Sequence, residues 1–133
     1  MKQKMISRLL LVFVIAGLAS VARAEIAKPK MFNVKTYGGI GDGATLDTEA
    51  LQKTIDACHE AGGGVVWVPA GDFQIGTIIL KSNVTLSLDY GASLLGSQDL
   101  TDYPTEGLDD PREGGPRCLI YAKDASNITI EGL

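Results

Sequence analysis

Ser82-Asn83-Val84-Thr85-Leu86 returns as Ser126-Asn127-Ile128-Thr129-Ile130, 44 residues further along the chain. Each copy is a turn signal followed by an alternating, β-branched run. A repeat at this spacing points to stacked, similar units rather than one closed globule. In a stack of parallel strands, residues at the same point of each coil lie above one another. The repeated asparagines are therefore expected to hydrogen-bond along the stack. The offset is expected to span two coils, the second enlarged by the polar stretch 96–117.

The residues around the repeat support this reading. Phe32-Asn33-Val34 reads as a first strand, followed by the glycine-rich loop Tyr37-Gly38-Gly39-Ile40-Gly41-Asp42-Gly43. Asp47 or Thr48 suits a helix N-cap, and Glu49 favours the positive end of the helix dipole. Over residues 49–61, Leu51, Ile55 and Cys58 fall at i, i+4 and i+7, which makes one apolar stripe on a polar helix. Gly62-Gly63-Gly64 ends it. The period then becomes strand-like. Val65-Val66-Trp67-Val68 is one strand, residues 74–80 a second, Val84 to Leu88 a third and Ala92-Ser93-Leu94-Leu95 a fourth. Residues 96–117 read as a long surface loop with Pro104, Pro111 and Pro116. Strands resume at Cys118-Leu119-Ile120-Tyr121 and Ile128-Thr129-Ile130.

One helix followed only by short strands is not a βαβ pattern, and hairpin dipeptides such as Asn-Gly are missing between the strands. The architecture expected is all-β: a right-handed parallel β-helix whose open end is covered by an N-terminal α-helix. A last coil at Ile130 would leave an unpaired parallel edge, so the solenoid is expected to be incomplete at the C-terminus.

The residues carry a family likeness. Phe32-Asn33-Val34-Lys35-Thr36-Tyr37-Gly38, Gly41-Asp42-Gly43, Asp47-Thr48-Glu49-Ala50-Leu51-Gln52 and residues 62–71 resemble the opening of pectin-lyase-like β-helix proteins. Residues 76–84, Gly91-Ala92, Gly96-Ser97, Asp99, Asp102-Tyr103-Pro104, Ile120-Tyr121-Ala122 and residues 127–132 resemble one branch, the polygalacturonase-like glycoside hydrolases of family 28. The resemblance implies inverting hydrolysis of glycosidic bonds in pectin-type polysaccharides. One carboxylic acid protonates the leaving oxygen and a carboxylate ~6.5–9.5 Å away activates water. The family sets these groups in Asn-Thr-Asp, Asp-Asp, Gly-His-Gly and Arg-Ile-Lys motifs of later coils. None is complete here, so no catalytic, cofactor-binding or metal-ligating residue is assigned, no cofactor is expected, and the chain alone is expected to be inactive. The rivals are a pectate-lyase-like or epimerase-like β-helix and a non-catalytic carbohydrate-binding one. Such lyases usually hold calcium through clustered carboxylates on a strand face, and the sequence displays no such cluster.

Composition bounds the setting. Lys2, Lys4 and Arg8 precede an apolar run over residues 9–18, and Ala22-Arg23-Ala24 offers small residues at a cleavage site. Residues 1–24 thus read as a secretory signal, cut before Glu25, and residues 25–133 as the N-terminal part of a β-helix domain. The run is well short of the ~20 residues that span a bilayer. The protein is expected to be secreted or periplasmic. Beyond the signal, 8 basic residues face 16 acidic ones, a formal net charge of −8. That excludes nucleic acid and an anionic membrane surface as natural partners. The expected partner is a pectin-type polysaccharide, bound by a monomeric full-length protein. Two cysteines, Cys58 and Cys118, allow either a disulfide or two free thiols in an exported protein. With one histidine and no Cys-x-x-Cys, a zinc site is not expected.

Several residues invite a sharper reading and do not sustain it. Asp109-Asp110 is an acidic pair in an irregular loop before Pro111, and reads as solvated. His59 follows Cys58, but adjacent helix residues point about 100° apart and form no dyad. Gly39-x-Gly41-x-Gly43 lacks the spacing of a phosphate loop and reads as a turn into the helix. Asn83 and Asn127 fit the glycosylation pattern, yet their equivalent places in the repeat favour a structural role. Trp67 points away from Val66 and Val68, and is expected to pack on the helix or a terminal segment rather than on sugar.

Overall fold

A computed structural model describes residues 26–104 and 117–133. The expected signal segment and Asp109-Asp110 lie outside these. Among the described residues there are nine strands and one α-helix: β1 (Met31–Asn33), β2 (Asp42–Leu46), α1 (Thr48–Glu60), β3 (Gly64–Val68), β4 (Gly71–Ile75), β5 (Ile78–Leu80), β6 (Val84–Leu88), β7 (Ala92–Gly96), β8 (Ile120–Ala122) and β9 (Thr129–Gly132). Every pairing is parallel, in three sheets ordered β1-β3-β6-β9, β2-β4-β7 and β5-β8. The chain visits each sheet in turn and comes back one strand further on, which is the path of a coil. No helix of the described residues is long and apolar enough to cross a membrane.

The repeat proves to be one coil, not two. Thr85 pairs with Thr129 and Leu86 with Ile130 in neighbouring strands β6 and β9. The coil before it is far shorter, Gly64 pairing with Val84. Most of the difference is added between β7 and β8. As expected, the asparagines form a ladder: Asn127 Nδ2 donates to Asn83 Oδ1 at 3.0 Å, and the Ser126 N–H donates to Ser82 Oγ at 3.0 Å. Both asparagines sit in the left-handed region, at φ 65° and 56°. Asparagine tolerates that region better than most residues with a side chain. The matching place one coil earlier is Gly63 at φ 107°, and only glycine fits there, because a Cβ would stand 2.5 Å from the Asn83 carbonyl oxygen.

Residues 74–80 are not one strand. β4 and β5 are separated by a corner at Gly76-Thr77, because the chain must change sheets there. The corner is tight: a Cβ on Gly76 would lie 1.9 Å from the Asp102 carbonyl oxygen. The glycine loop also holds more than a turn. Asp42 opens β2, whose pairing with β4 is interrupted by a shift of register between Asp42 and Leu46. Val34 begins a short 3-10 turn (Val34–Tyr37) instead of extending β1.

The helix lies where it was expected and ends as the glycines require. The Gly63 N–H donates to Cys58 O at 2.9 Å and the Gly62 N–H to His59 O at 3.0 Å, the pairing of a Schellman cap. Leu51, Ile55 and Cys58 enter the core beside Val34, Val66, Val68, Phe73, Ile75, Ile78, Val84 and Leu86. Val66 and Val68 therefore share the helix side, and Trp67 occupies the opposite face of β3, half-buried between Asn33 and Ser87 in register. Of the two places expected for it, the helix is thus on the other side of the strand, while Asn33 belongs to the N-terminal segment.

A second stripe of α1, next to the apolar one, replaces a missing strand. The third sheet begins at β5, whose outer edge would be bare. Gln52 covers it: its Oε1 accepts from the Ile79 N–H at 2.8 Å and its Nε2 donates to Ile79 O at 3.1 Å. A side-chain amide thus stands in for a peptide unit on an edge that would otherwise invite pairing. One turn on, Asp56 meets Lys81 at 2.8 Å, and His59 Nδ1 donates to Ser82 O at 3.0 Å. The carbonyl has no proton, so the histidine nitrogen must carry it. Gln52→Leu should lose both edge bonds, costing about 1–2 kcal/mol, and should speed hydrogen exchange at the Ile79 amide. An unchanged exchange rate there would show that the amide does not guard the edge.

Burial pushes the Asp56 carboxyl up, but the hydrogen bonds from Lys81 and Gln52 outweigh it and hold the group below its ordinary 3.8. A depressed carboxyl stabilises the fold above the unfolded value, and that contribution fades as pH falls through the folded one. Stability should therefore drop as the pH goes below about 4, modestly, because both partners are more than a third exposed. The denaturation midpoint of Asp56→Asn, followed from about pH 5 to 3, should show a shallower decline than that of the parent.

Candidate functional site

Among the described residues, those that drew attention in the sequence do not assemble into a reaction centre. His59 is tied to Ser82 O, and Cys58 is fully buried, its thiol pushed up by desolvation. Both cysteines are free, so the disulfide alternative falls. The loop 39–43 wraps a side chain rather than a phosphate: its Ile40 and Gly41 N–H groups donate to the Asp47 carboxylate at 2.8 and 2.9 Å. Asp47 does stand at the helix N-cap, but it makes no side-chain bond to the helix. Asn83 and Asn127 bond each other, the structural role expected of them.

The family-like residues 96–104 build a corner beyond β7. Ser97 Oγ donates to Asp102 Oδ2, and Tyr103 OH donates to Ser97 O at 2.8 Å. Asp99 caps a short 3-10 turn (Leu100–Asp102), accepting from the Thr101 N–H at 2.9 Å. The Asp102 carbonyl accepts from Thr77 N–H at 3.3 Å, which fastens the corner to the start of β5.

This corner closes one end of a groove that sequence reasoning missed. About 450 Å³ in volume, the groove is lined by Gly43, Gln74, Leu94, Leu95, Gly96 and Gln98. Its floor is the second sheet. Strand alternation puts Asp72 and Gln74 of β4 opposite Ser93 and Leu95 of β7, while Phe73 and Ile75 turn inward. The amides of Gln74 and Gln98 have no partner among the described residues. Leu95 is 41% exposed beside them. Adjoining is a smaller hollow of about 350 Å³, which shares Gly96 and is lined also by Ser97, Leu100, Tyr103, Arg117 and Leu119. Free amides next to exposed apolar surface are what a sugar ring requires, since it offers hydroxyls at its rim and C–H groups on its faces. The only signal of it in the sequence is the alternation in β4, which an unbroken strand over residues 74–80 hides.

Among the described residues, every carboxyl group with a displaced proton affinity is displaced downward. Thr45 and Ala44 N–H groups and the Thr45 hydroxyl lower Asp42, Lys53 lowers Glu49, and the Thr101 N–H and hydroxyl lower Asp99. Each is held as carboxylate, whereas a general acid needs its affinity for protons raised. Among the described residues, no three His, Cys, Asp or Glu side chains come together as metal ligands would.

The stacked parallel coils, the asparagine ladder and the groove over the second sheet define a pectin-lyase-like chain. The family described as "Rhamnogalacturonase A/epimerase, pectate lyase-like" matches residues 31–99, just over half of the sequence, and this chain belongs to it. Among its relatives, an exo-poly-α-D-galacturonosidase of Dickeya chrysanthemi is 49% identical over 85 residues, covering 64% of this chain and 14% of that protein. Alginate lyase 7 of Azotobacter vinelandii is 48% identical over 110 residues, covering 76% and 12%. The solved structure of the Yersinia enterocolitica family 28 exopolygalacturonase superposes with a TM-score of 0.68 at 41% identity, over 80% of this chain and 20% of that one. The chain thus spans a fifth or less of each of these relatives.

Proposed function

We propose that this chain is the N-terminal part, behind a secretory signal over residues 1–24, of an exported polysaccharide-acting protein. Its reaction in the full-length form is inverting hydrolysis of pectin-type glycosidic bonds. The observation that carries the reading is the corner at residues 96–104 and its bond to Thr77. These residues hold the polygalacturonase-like part of the sequence together and border a groove suited to sugar. The right-handed β-helix continues in this reading through further coils, which bring the two carboxylates that the described residues do not supply.

The 48% identity to an alginate lyase supports a second reading, a lyase- or epimerase-type protein on the same scaffold. The products separate the two. Hydrolysis releases saturated reducing ends from polygalacturonate, lysis releases unsaturated, ultraviolet-absorbing ends, and epimerisation releases neither. The assay belongs on the product of the extended reading frame, with the 133-residue chain as a control expected to be inactive. Reducing-end release by the control alone would overturn the assignment of catalysis to later coils.

A further inference from the structure

The groove over β2, β4 and β7 has a charge character at odds with a polyanionic ligand. None of the six described residues that line it is charged. The acids stand just outside. Asp42 and Asp72 are register partners on neighbouring strands, and both are exposed. A Cβ on Gly43, which lines the groove, would lie 3.4 Å from Asp72 Cβ and 3.9 Å from Asp72 Oδ2. Asp42 is fixed in place by bonds to the Ala44 and Thr45 N–H groups and the Thr45 hydroxyl. A free uronate seated on Gln74 and Gln98 would bring a third carboxylate to this rim, with no lysine or arginine among the described residues that line the groove to offset it. A pyranose without a free carboxylate meets no such repulsion. It finds two amides able to donate and accept, and the exposed side of Leu95 for a ring face.

We propose that this groove is a binding subsite for an uncharged pyranose unit, either a neutral sugar or a methyl-esterified uronate, and that it discriminates against the free acid. The inference rests on the reading of the chain as part of a polysaccharide-acting protein. Its rival within the structure is the adjoining hollow, where Arg117 offers a guanidinium to a carboxylate.

The test is affinity electrophoresis and calorimetry of the 133-residue chain at low ionic strength. Three polymers serve as probes: fully methyl-esterified pectin, neutral galactan and de-esterified polygalacturonate. The esterified polymer, the galactan or both should bind at least several-fold more tightly than polygalacturonate, and which of them does identifies the source of the uncharged unit. The gap should narrow as salt screens the rim acids. Gln74→Ala and Gln98→Ala should each weaken binding roughly threefold to tenfold, with the far-ultraviolet dichroism unchanged, and Arg117→Ala should leave it as it was. Equal or tighter binding of polygalacturonate at low salt, or loss of binding in Arg117→Ala, would overturn the charge selection. Binding indifferent to both glutamine variants would overturn the location. No binding of any polymer by folded protein would overturn the subsite itself, while hydrolysis by the extended protein would still stand or fall on its own assay.

Discussion

Phe73→Ala should lower the stability of the fold by about 3–5 kcal/mol, a large share of the roughly 5–15 kcal/mol that holds a domain together. Phe73 is fully buried in the middle of β4. Its ring lies directly beneath the glycine loop: a Cβ on Gly41 would come within 2.8 Å of the ring and one on Gly39 within 3.3 Å. The glycines therefore bring backbone down onto an aromatic surface. With the ring gone, that backbone has nothing to rest on, and it cannot follow inward because Asp47 ties it to the helix start. The cavity stays open, which places the loss high in the range. Phe73→Leu refills much of the volume and should cost about half as much or less. Urea denaturation read by circular dichroism measures both. A loss below about 1 kcal/mol for Phe73→Ala would mean that the loop collapses freely and that the core is not centred here.

Asp47→Ala should cost nearly as much, about 3–5 kcal/mol, since hydrogen bonds to a charged group are worth about 1.5–3 kcal/mol each. Asp47 is 1% exposed and accepts from two consecutive backbone N–H groups, Ile40 and Gly41. Its own N–H donates to Gln74 O at 2.7 Å, so one residue joins the glycine loop, the start of α1 and β4. Asp47→Asn is the sharper variant. The amide keeps one acceptor but turns an N–H₂ toward the second N–H, so it should recover no more than about half of the loss. Were Asp47 only a helix cap, asparagine would serve as well as aspartate and the variant would be near neutral. Because Phe73 and Asp47 support the same loop, the double variant should lose less than the sum of the single losses.

What the sequence could show was local. The stripe Leu51, Ile55, Cys58 follows from a 3.6-residue period, and the glycine triplet from the cap that terminates it. The alternation of Val84, Leu86 and Leu88 is as plain, and β6 forms where it appears. β2 escaped notice because Asp42-Gly43-Ala44-Thr45-Leu46 has almost no strand propensity, and its extended form comes from lying against β4. The division between β4 and β5 escaped because an unbroken run of strand formers carries no mark of where a coil bends. The groove was out of reach for a related reason. Gln74 and Gln98 look unremarkable in the sequence and come to line one groove because Gln74 pairs with Leu95 across the sheet.

The repeat at Asn83 and Asn127 divides the two kinds of knowledge cleanly. By itself the sequence determined that two turns of like chemistry, each followed by a β-branched strand, would stack with asparagine upon asparagine, because conformational preference and side-chain hydrogen bonding are properties of a few neighbouring residues. Only the tertiary structure decided that the two turns belong to adjacent coils. It likewise decided that Asp47 turns its carboxylate back to the glycine loop and that Gln52 replaces a strand beside Ile79. Those outcomes depend on the register between distant segments, and register depends on how much chain lies between one strand and the next, which no local pattern records.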